Sequence, residues 1–427
     1  MLNYFRRIKN RHYVILALAI SVFFFDQMCA SRHDTDGNPL VFDSYGQAFA
    51  GSASCEGCHK DIYKSHIATA HYRDSRPASA ATIKGSFDSG RNRFVFNSST
   101  EMIMEHKGDG FFQTALVNGK EYKSEPFDIV IGTGKKGQTY LYYDGDGKLY
   151  QLPISYSTST DSWCNSPGYY PDSIRFNRQI NAYCLECHGT YAGLVQGARG
   201  NDELIDKKQI IYGIDCERCH GPAAEHVNYH EAHPEDRVAK YIINPKSLSR
   251  QRRLDACALC HSGARQAFKP AFSFKVGDRL SDFSGPGLMP GSAATLDVHG
   301  NQYGLLSSSK CFIQSQMDCS SCHNVHVNEV NSPKLFSQRC MGCHNQPAHN
   351  TCTMPPTAGL VLSDNCIDCH MPAQVTQKIA LQPSGVGDSI LSRVSKLNPI
   401  FVRTHRIAIY PESTKQYLEK IGARKAS

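Results

Sequence analysis

One tryptophan, Trp163, serves a chain of 427 residues, and only 41% of the residues are hydrophobic. Such a composition leaves little material for conventional apolar cores. No long apolar run is present either. The stretch from Tyr13 to Phe25 is about a dozen residues, short for a membrane span. Recognition motifs for DNA or RNA are missing, so the formal charge of +7 is not read as a nucleic-acid surface. Cysteine is absent from residues 84–160 but abundant elsewhere, with 18 in the chain.

Fourteen of those cysteines fall into one pattern, Cys-x-x-Cys-His. It occurs at Cys55/Cys58/His59, Cys184/Cys187/His188, Cys216/Cys219/His220, Cys257/Cys260/His261, Cys319/Cys322/His323, Cys340/Cys343/His344 and Cys366/Cys369/His370. This is the attachment signature of c-type haem. Two thiols add to the two vinyl groups of one porphyrin, and the adjoining His becomes the proximal iron ligand. A zinc site needs no His fixed at the next position. A thioredoxin-like redox pair would occur once, beside a βαβ pattern. Seven covalent haems c are therefore expected, with the seven motif histidines as proximal ligands.

The six motifs from Cys184 to His370 leave about thirty residues per haem. That is too few for ordinary cores, so the macrocycles themselves are expected to supply the buried apolar surface. Each haem also brings two propionates, for which the basic excess serves as counter-charge.

Residues 1–29 read as a signal or lipoprotein segment. Arg6, Arg7, Lys9 and Arg11 precede the short apolar run, and Cys29 follows it. A lipidated Cys29, a cleaved signal and an uncleaved N-terminal anchor all remain open. Each places the haem region in the periplasm or cell envelope, where haem c is attached. Residues 30–50 read as a linker and 51–83 as the first haem unit, with a helix expected over Lys60 to His71. Residues 84–160 show short β-prone runs punctuated by Gly and Asn-Gly turns, as expected of an antiparallel β module without haem. Gly132 to Gly137 lacks the spacing of a phosphate loop and reads as a turn. Residues 161–375 form a six-haem region of short helices and loops. Residues 376–427 form a C-terminal segment with a helix-like tail. The fold expected is a multihaem cytochrome c, mainly α and irregular structure around stacked haems, with the β module inserted.

These motifs resemble the multihaem c-type cytochromes related to the tetrahaem electron acceptor of hydroxylamine oxidation. Octahaem and pentahaem enzymes reducing tetrathionate or nitrite are more distant members. The resemblance rests on Cys55–His59 followed by His71 and Arg76-Pro77; on Gln138 to Leu141 and Gly147 to Pro153; and on Asn181 to Gly189. It extends to Cys216 to Pro222 with His226, Cys319 to His323 with His326, and Cys366 to Pro372 with His405. It implies distal iron ligation by His71, His226, His326 and His405. It also implies that a catalytic relative would carry a Cys-x-x-Cys-Lys motif, which this chain lacks.

Nineteen histidines, less the seven proximal ones and His12 and His33, leave ten for seven distal positions. The choice is His71, His226, His299, His326, His349 and His405, with His230 or His233 seventh. His226, His230 and His233 are spaced for one helical face. His66 is an alternative. Two functions remain open. One is an electron carrier between redox proteins or a quinol-oxidising membrane complex, with every iron six-coordinate. The other is an oxidoreductase acting on nitrite, hydroxylamine or a sulfur oxyanion at one open haem. Besides Cys29, the spare cysteines are Cys164, Cys311 and Cys352, available for a disulfide or as free thiols.

Overall fold

The computed structural model describes residues 40–169, 174–195, 203–286, 296–330, 332–345, 352, 354, 361–381 and 398–426. Its first helix, α1 (Ala53–His66), contains the first motif. It stops short of His71. Thr69 Oγ1 donates to the His66 carbonyl at 2.7 Å and accepts from the Tyr72 amide at 3.2 Å, so a hydroxyl replaces the next helical bond. Residues 40–50, read as a tether, are fastened at their described end. Phe49 is buried, Lys275 pairs with Asp43 at 3.0 Å, and the Ala50 and Gly51 amides donate to the Glu217 carboxylate.

Two antiparallel sheets follow. Strand β1 (Ser75–Pro77) precedes β2 (Arg93–Asn97), β3 (Thr100–Lys107), β4 (Gly110–Val117) and β5 (Lys120–Pro126), and β2 to β5 form a four-stranded meander. Then come β6 (Ile129–Ile131), β7 (Gly137–Tyr143), β8 (Leu149–Gln151), β9 (Ile154–Ser157) and β10 (Ser162–Asn165). These join β1 in a sheet of order β1-β6-β7-β9-β10, with β8 paired to β7. The sheets thus reach beyond 84–160 at both ends. β5 gave no apolar alternation because it is a charged edge strand, with Lys120, Glu121 and Tyr122 exposed.

Between the sheets lie Phe94, Phe96, Met102, Met104, Tyr140, Leu152, Ile154 and Trp163, all buried. Buried Gln113 spans the same gap. Its amide donates to the Ile154 carbonyl at 2.7 Å and accepts from the Ile154 amide at 3.0 Å. The other face of the second sheet, with Ile129, Leu141, Tyr143 and Leu149, packs on Ile180, Ala182, Leu185 and Ile205. A sheet covered on both faces accounts for the nearly continuous apolar run of β7.

The second motif opens in α2 (Ala182–Glu186), and β11 (Gly189–Leu194) pairs with β12 (Ile205–Tyr212). α3 (Cys216–His220), α4 (Ala224–Ala232) and α5 (Arg250–His261) follow. Asn181, Asp215 and Ser249 cap α2, α3 and α5 through their side chains, which fixes where each motif helix starts. Beyond these lie β13 (Arg265–Ala267), β14 (Ser284–Pro286), α6 (Gln302–Ser307), α7 (Lys310–Ile313), α8 (Pro333–His344) and α9 (Ile367–His370). A hairpin of β15 (Ala373–Leu381) and β16 (Asn398–Arg403) precedes the terminal α10 (Pro411–Ala426). The β11–β12 and β13–β14 pairs correct the expectation of short helices and loops over 161–375, and β15–β16 adds strands to the C-terminal segment. Past α3 the described residues add one small apolar cluster, Ala258, Phe274 and Leu280. No helix among the described residues is long and apolar enough to cross a membrane.

Candidate haem-binding sites

Each attachment motif needs two thiols and one imidazole with Nε2 free for iron. Fixing Nδ1 on an acceptor achieves the second requirement. His188 Nδ1 lies 2.7 Å from Asp74, His220 Nδ1 2.8 Å from the Ile243 carbonyl, and His370 Nδ1 3.0 Å from the Ala408 carbonyl. His261 Nδ1 is 3.1 Å from Gln302 Oε1. His59 breaks the helical geometry of α1, with φ −114° and ψ 38°, while His344 and His370 end α8 and α9.

The thiols are not equally enclosed by the polypeptide. Most are half-buried, but Cys58, Cys184 and Cys343 are exposed. The first motif is the least enclosed. Cys58 is exposed together with Gly57, His59 and Lys60. The reason lies in how α1 docks: Cys55 meets Cys216 at one end and His66 is buried at the other, so the turn between them has no protein cover. Cys58 is accessible for thioether formation there, and its role in attachment rests on the motif spacing, not on a pocket around it.

Three of the motif imidazoles face a second one. The ring centroids of His71 and His261 are 6.2 Å apart, those of His220 and His326 6.1 Å, and those of His323 and His405 6.2 Å. Two imidazoles on opposite faces of one metal ion, with bonds of about 2 Å each, stand with ring centres about 6 Å apart. The spacing therefore fits bis-histidine iron. Burial, and then the neighbouring His261, pushes His71 down to about 4; burial and His323 do the same to His405. Burial also lowers His299, His323 and His326. All are held neutral at neutral pH, the form that binds metal.

The remaining candidates divide. His299 lies in the electrostatic neighbourhood of His188. His226 and His230 lie on α4 with rings 4.7 Å apart, and His226 Nδ1 sits 2.7 Å from the Lys240 carbonyl, the same fixing seen at the proximal residues. His230 Nε2 is buried without a partner. His233 falls at the end of the helix and stacks on Tyr229, so the expected row of three is broken. His349 and Cys29 lie outside the described residues. Buried His66 places Nε2 3.2 Å from the Ile214 carbonyl and its ring edge-on to His326, with Nδ1 unpartnered. His66, Asp215 and Cys216 converge, and Cys216 belongs to an attachment motif.

No disulfide joins any of the described cysteines, Cys164, Cys311 and Cys352 included. Cys164, on β10, is buried, and burial pushes its thiol up to about 12. Buried Arg76 Nε is unpartnered and suited to a haem propionate. His405 Nδ1 is likewise unpartnered. Sequence reasoning missed Asp74 and Gln302. Each lies far from its imidazole in the chain, and neither residue type signals a role by itself.

The family described as Cytochrome c554 and c-prime matches residues 170–221. A multihaem cytochrome MtrA of Shewanella baltica (strain OS185) is 24% identical over 194 residues, 44% of this chain and 51% of the relative. The chain thus spans about half the length of that curated relative. The crystal structure of the outer cell wall cytochrome OcwA is similar with a TM-score of 0.51 at 15% identity, covering 86% of this chain and 81% of that one. The fold is that of a multihaem cytochrome, and the matches imply covalently bound haem c.

Proposed function

We propose that this protein is an extracytoplasmic seven-haem c-type cytochrome that carries single electrons between redox partners in a respiratory chain. The observation that carries this reading is the set of three facing imidazole pairs, His71–His261, His220–His326 and His323–His405. Haem iron, once bound, takes up and releases one electron at a time. With haem bound, these histidines would hold three of the irons from both sides and leave those three no face for a substrate. The Ile243 carbonyl on His220 Nδ1 and Gln302 Oε1 on His261 Nδ1 hold those two rings, which limits reorganisation as charge changes.

The partners are redox proteins or a quinol-oxidising membrane complex, and attachment to the membrane would run through Cys29 or an N-terminal anchor. The outer-cell-wall description of OcwA supports a place in the cell envelope. A narrower kinship with the acceptor of hydroxylamine oxidation rests on the motifs given above. The competing oxidoreductase needs one open iron.

Intact-mass and spin-state measurements on the purified holoprotein test the proposal. Seven haem masses, low-spin signals only, and no binding of cyanide or nitrite are expected. A missing haem overturns the count. A high-spin signal that shifts with nitrite, hydroxylamine or a sulfur oxyanion replaces the carrier with the enzyme.

A further inference from the structure

Thiols of different motifs lie side by side, and two of the four pairs skip a motif in chain order. The side chains of Cys55 and Cys216 are close neighbours that act on each other electrostatically, as are those of Cys187 and Cys260, Cys257 and Cys319, and Cys340 and Cys366. Backbone and ionic contacts join the same neighbours independently. Glu217 accepts from the Ala50 and Gly51 amides ahead of Cys55. Cys187 Sγ lies 3.9 Å from the Leu259 carbonyl, and Cys260 Sγ 3.9 Å from the Glu186 carbonyl. Arg253 pairs with Asp318 at 2.5 Å. Arg339 donates to the Cys322 carbonyl, and the Cys366 amide donates to Ser337 Oγ at 2.8 Å. Cys219 also lies within electrostatic reach of Cys257 and Cys260, and Cys322 of Cys343.

We infer that the seven haem sites form a branched line. It runs His59, His220, His261, His323, His344, His370, and the His188 site joins as a side branch at His261. A thioether sulfur sits at the porphyrin edge, so two sulfurs in contact bring two macrocycle edges together. Electrons move best between such edges. Both sulfurs of the His261 site are used this way, Cys257 towards Cys319 and Cys260 towards Cys187, with Cys219 beside both. Histidine pairing binds the same network. His71, which follows the first motif, serves the junction, and His326, which follows the fifth, serves the third. The inference rests on haem attachment at every motif, as proposed above. It adds that the His261 site is where three routes meet.

Anomalous scattering at the iron edge from holoprotein crystals maps the irons directly. The His261 iron should have three nearest irons, those of His188, His220 and His323. The irons of His59 and His370 should have one each. A second measurement uses His71→Met, which keeps the haem but raises the junction potential, because a Met/His pair lies higher than His/His. The first electron added should then settle at the junction and change three of the six remaining ferric low-spin signals. Seven irons in single file by chain order, or two or fewer changed signals, would overturn the branch. Fewer than seven irons would instead overturn the haem count.

Discussion

The Asp74 carboxylate lies 2.7 Å from Nδ1 of His188, and among the fixing contacts seen at the motif histidines it alone carries a full charge. His220 and His370 meet backbone carbonyls and His261 meets an amide oxygen. Burial pushes His188 down, but the hydrogen bond to Asp74 and its negative charge carry it net upward. A carboxylate on Nδ1 makes the ligating nitrogen more basic and favours ferric iron.

Asp74→Asn should therefore raise one haem midpoint potential and leave the others in place. A charge-assisted hydrogen bond exceeds a neutral one by about 1 kcal/mol, which is roughly 40 mV for one electron. Spectroelectrochemical titration of the holoprotein reads this. A uniform shift of every haem, or none, would show that Asp74 only shapes the loop. That loop is well held, because the Gly132 amide donates to the Asp74 carbonyl at 2.5 Å and the Gly213 amide to Ser75 Oγ at 2.9 Å. A Cβ on Gly213 would lie 2.1 Å from the Tyr72 carbonyl oxygen, so the approach depends on glycine.

The haem motifs and most of the β-prone runs were legible because their signals are local, a fixed spacing or a period of two. His71, His326 and His405 were named as distal residues, and the structure sets each opposite an imidazole. Which motif each faces was not legible, since His71 crosses from the first motif to the fourth. Nor was the exposure of Cys58, because spacing along a helix says nothing of what packs on it. Polar β5 and the three strand pairs outside the module escaped for lack of apolar alternation. Asp74 escaped because its partner is 114 residues away.

His405→Ala should open the iron of His323 alone. The buried ring of His405 faces His323, and its removal leaves one axial face bare. One new high-spin signal and new cyanide binding are expected in a protein that otherwise shows neither. His226→Ala should behave alike if its Nδ1 bond to Lys240 marks a ligand. An unchanged spectrum would transfer that role to His230, whose buried Nε2 lacks a partner.

Glu329 and Arg339 form a two-pronged pair next to the Cys322 carbonyl, with the shortest contact at 2.5 Å. The Arg339 hydrogen bond holds the Glu329 carboxyl down at about 2. An unfolded glutamate titrates at about 4.3. The pair's stabilisation is thus complete above that value and is lost as pH falls through the folded value near 2. Glu329→Gln should lower stability by about 1–2 kcal/mol at pH 7. Thermal unfolding from pH 6 to pH 2 should show the gap between variant and wild type closing. A gap constant with pH would mean that packing, not charge, is responsible.

The β module's role is tested at Gly85. A Cβ there would fall 2.0 Å from the Trp163 ring, whose Nε1 donates to the Ser86 carbonyl at 2.8 Å in the centre of the two-sheet core. Neither ring nor backbone can yield without disturbing Phe87, Phe127 and Tyr140, which surround the indole. Gly85→Ala should cost about 1–3 kcal/mol by overpacking, and Trp163→Ala about 3–5 kcal/mol by opening a cavity. The module shares β1 with the segment that carries His71 and Asp74. Loosening it should therefore lower the unfolding temperature of the haem region too, while the haem mass stays unchanged. Separate unfolding of the module, with the haem transition in its original place, would show that the sheets only sit beside the haem array and do not support it.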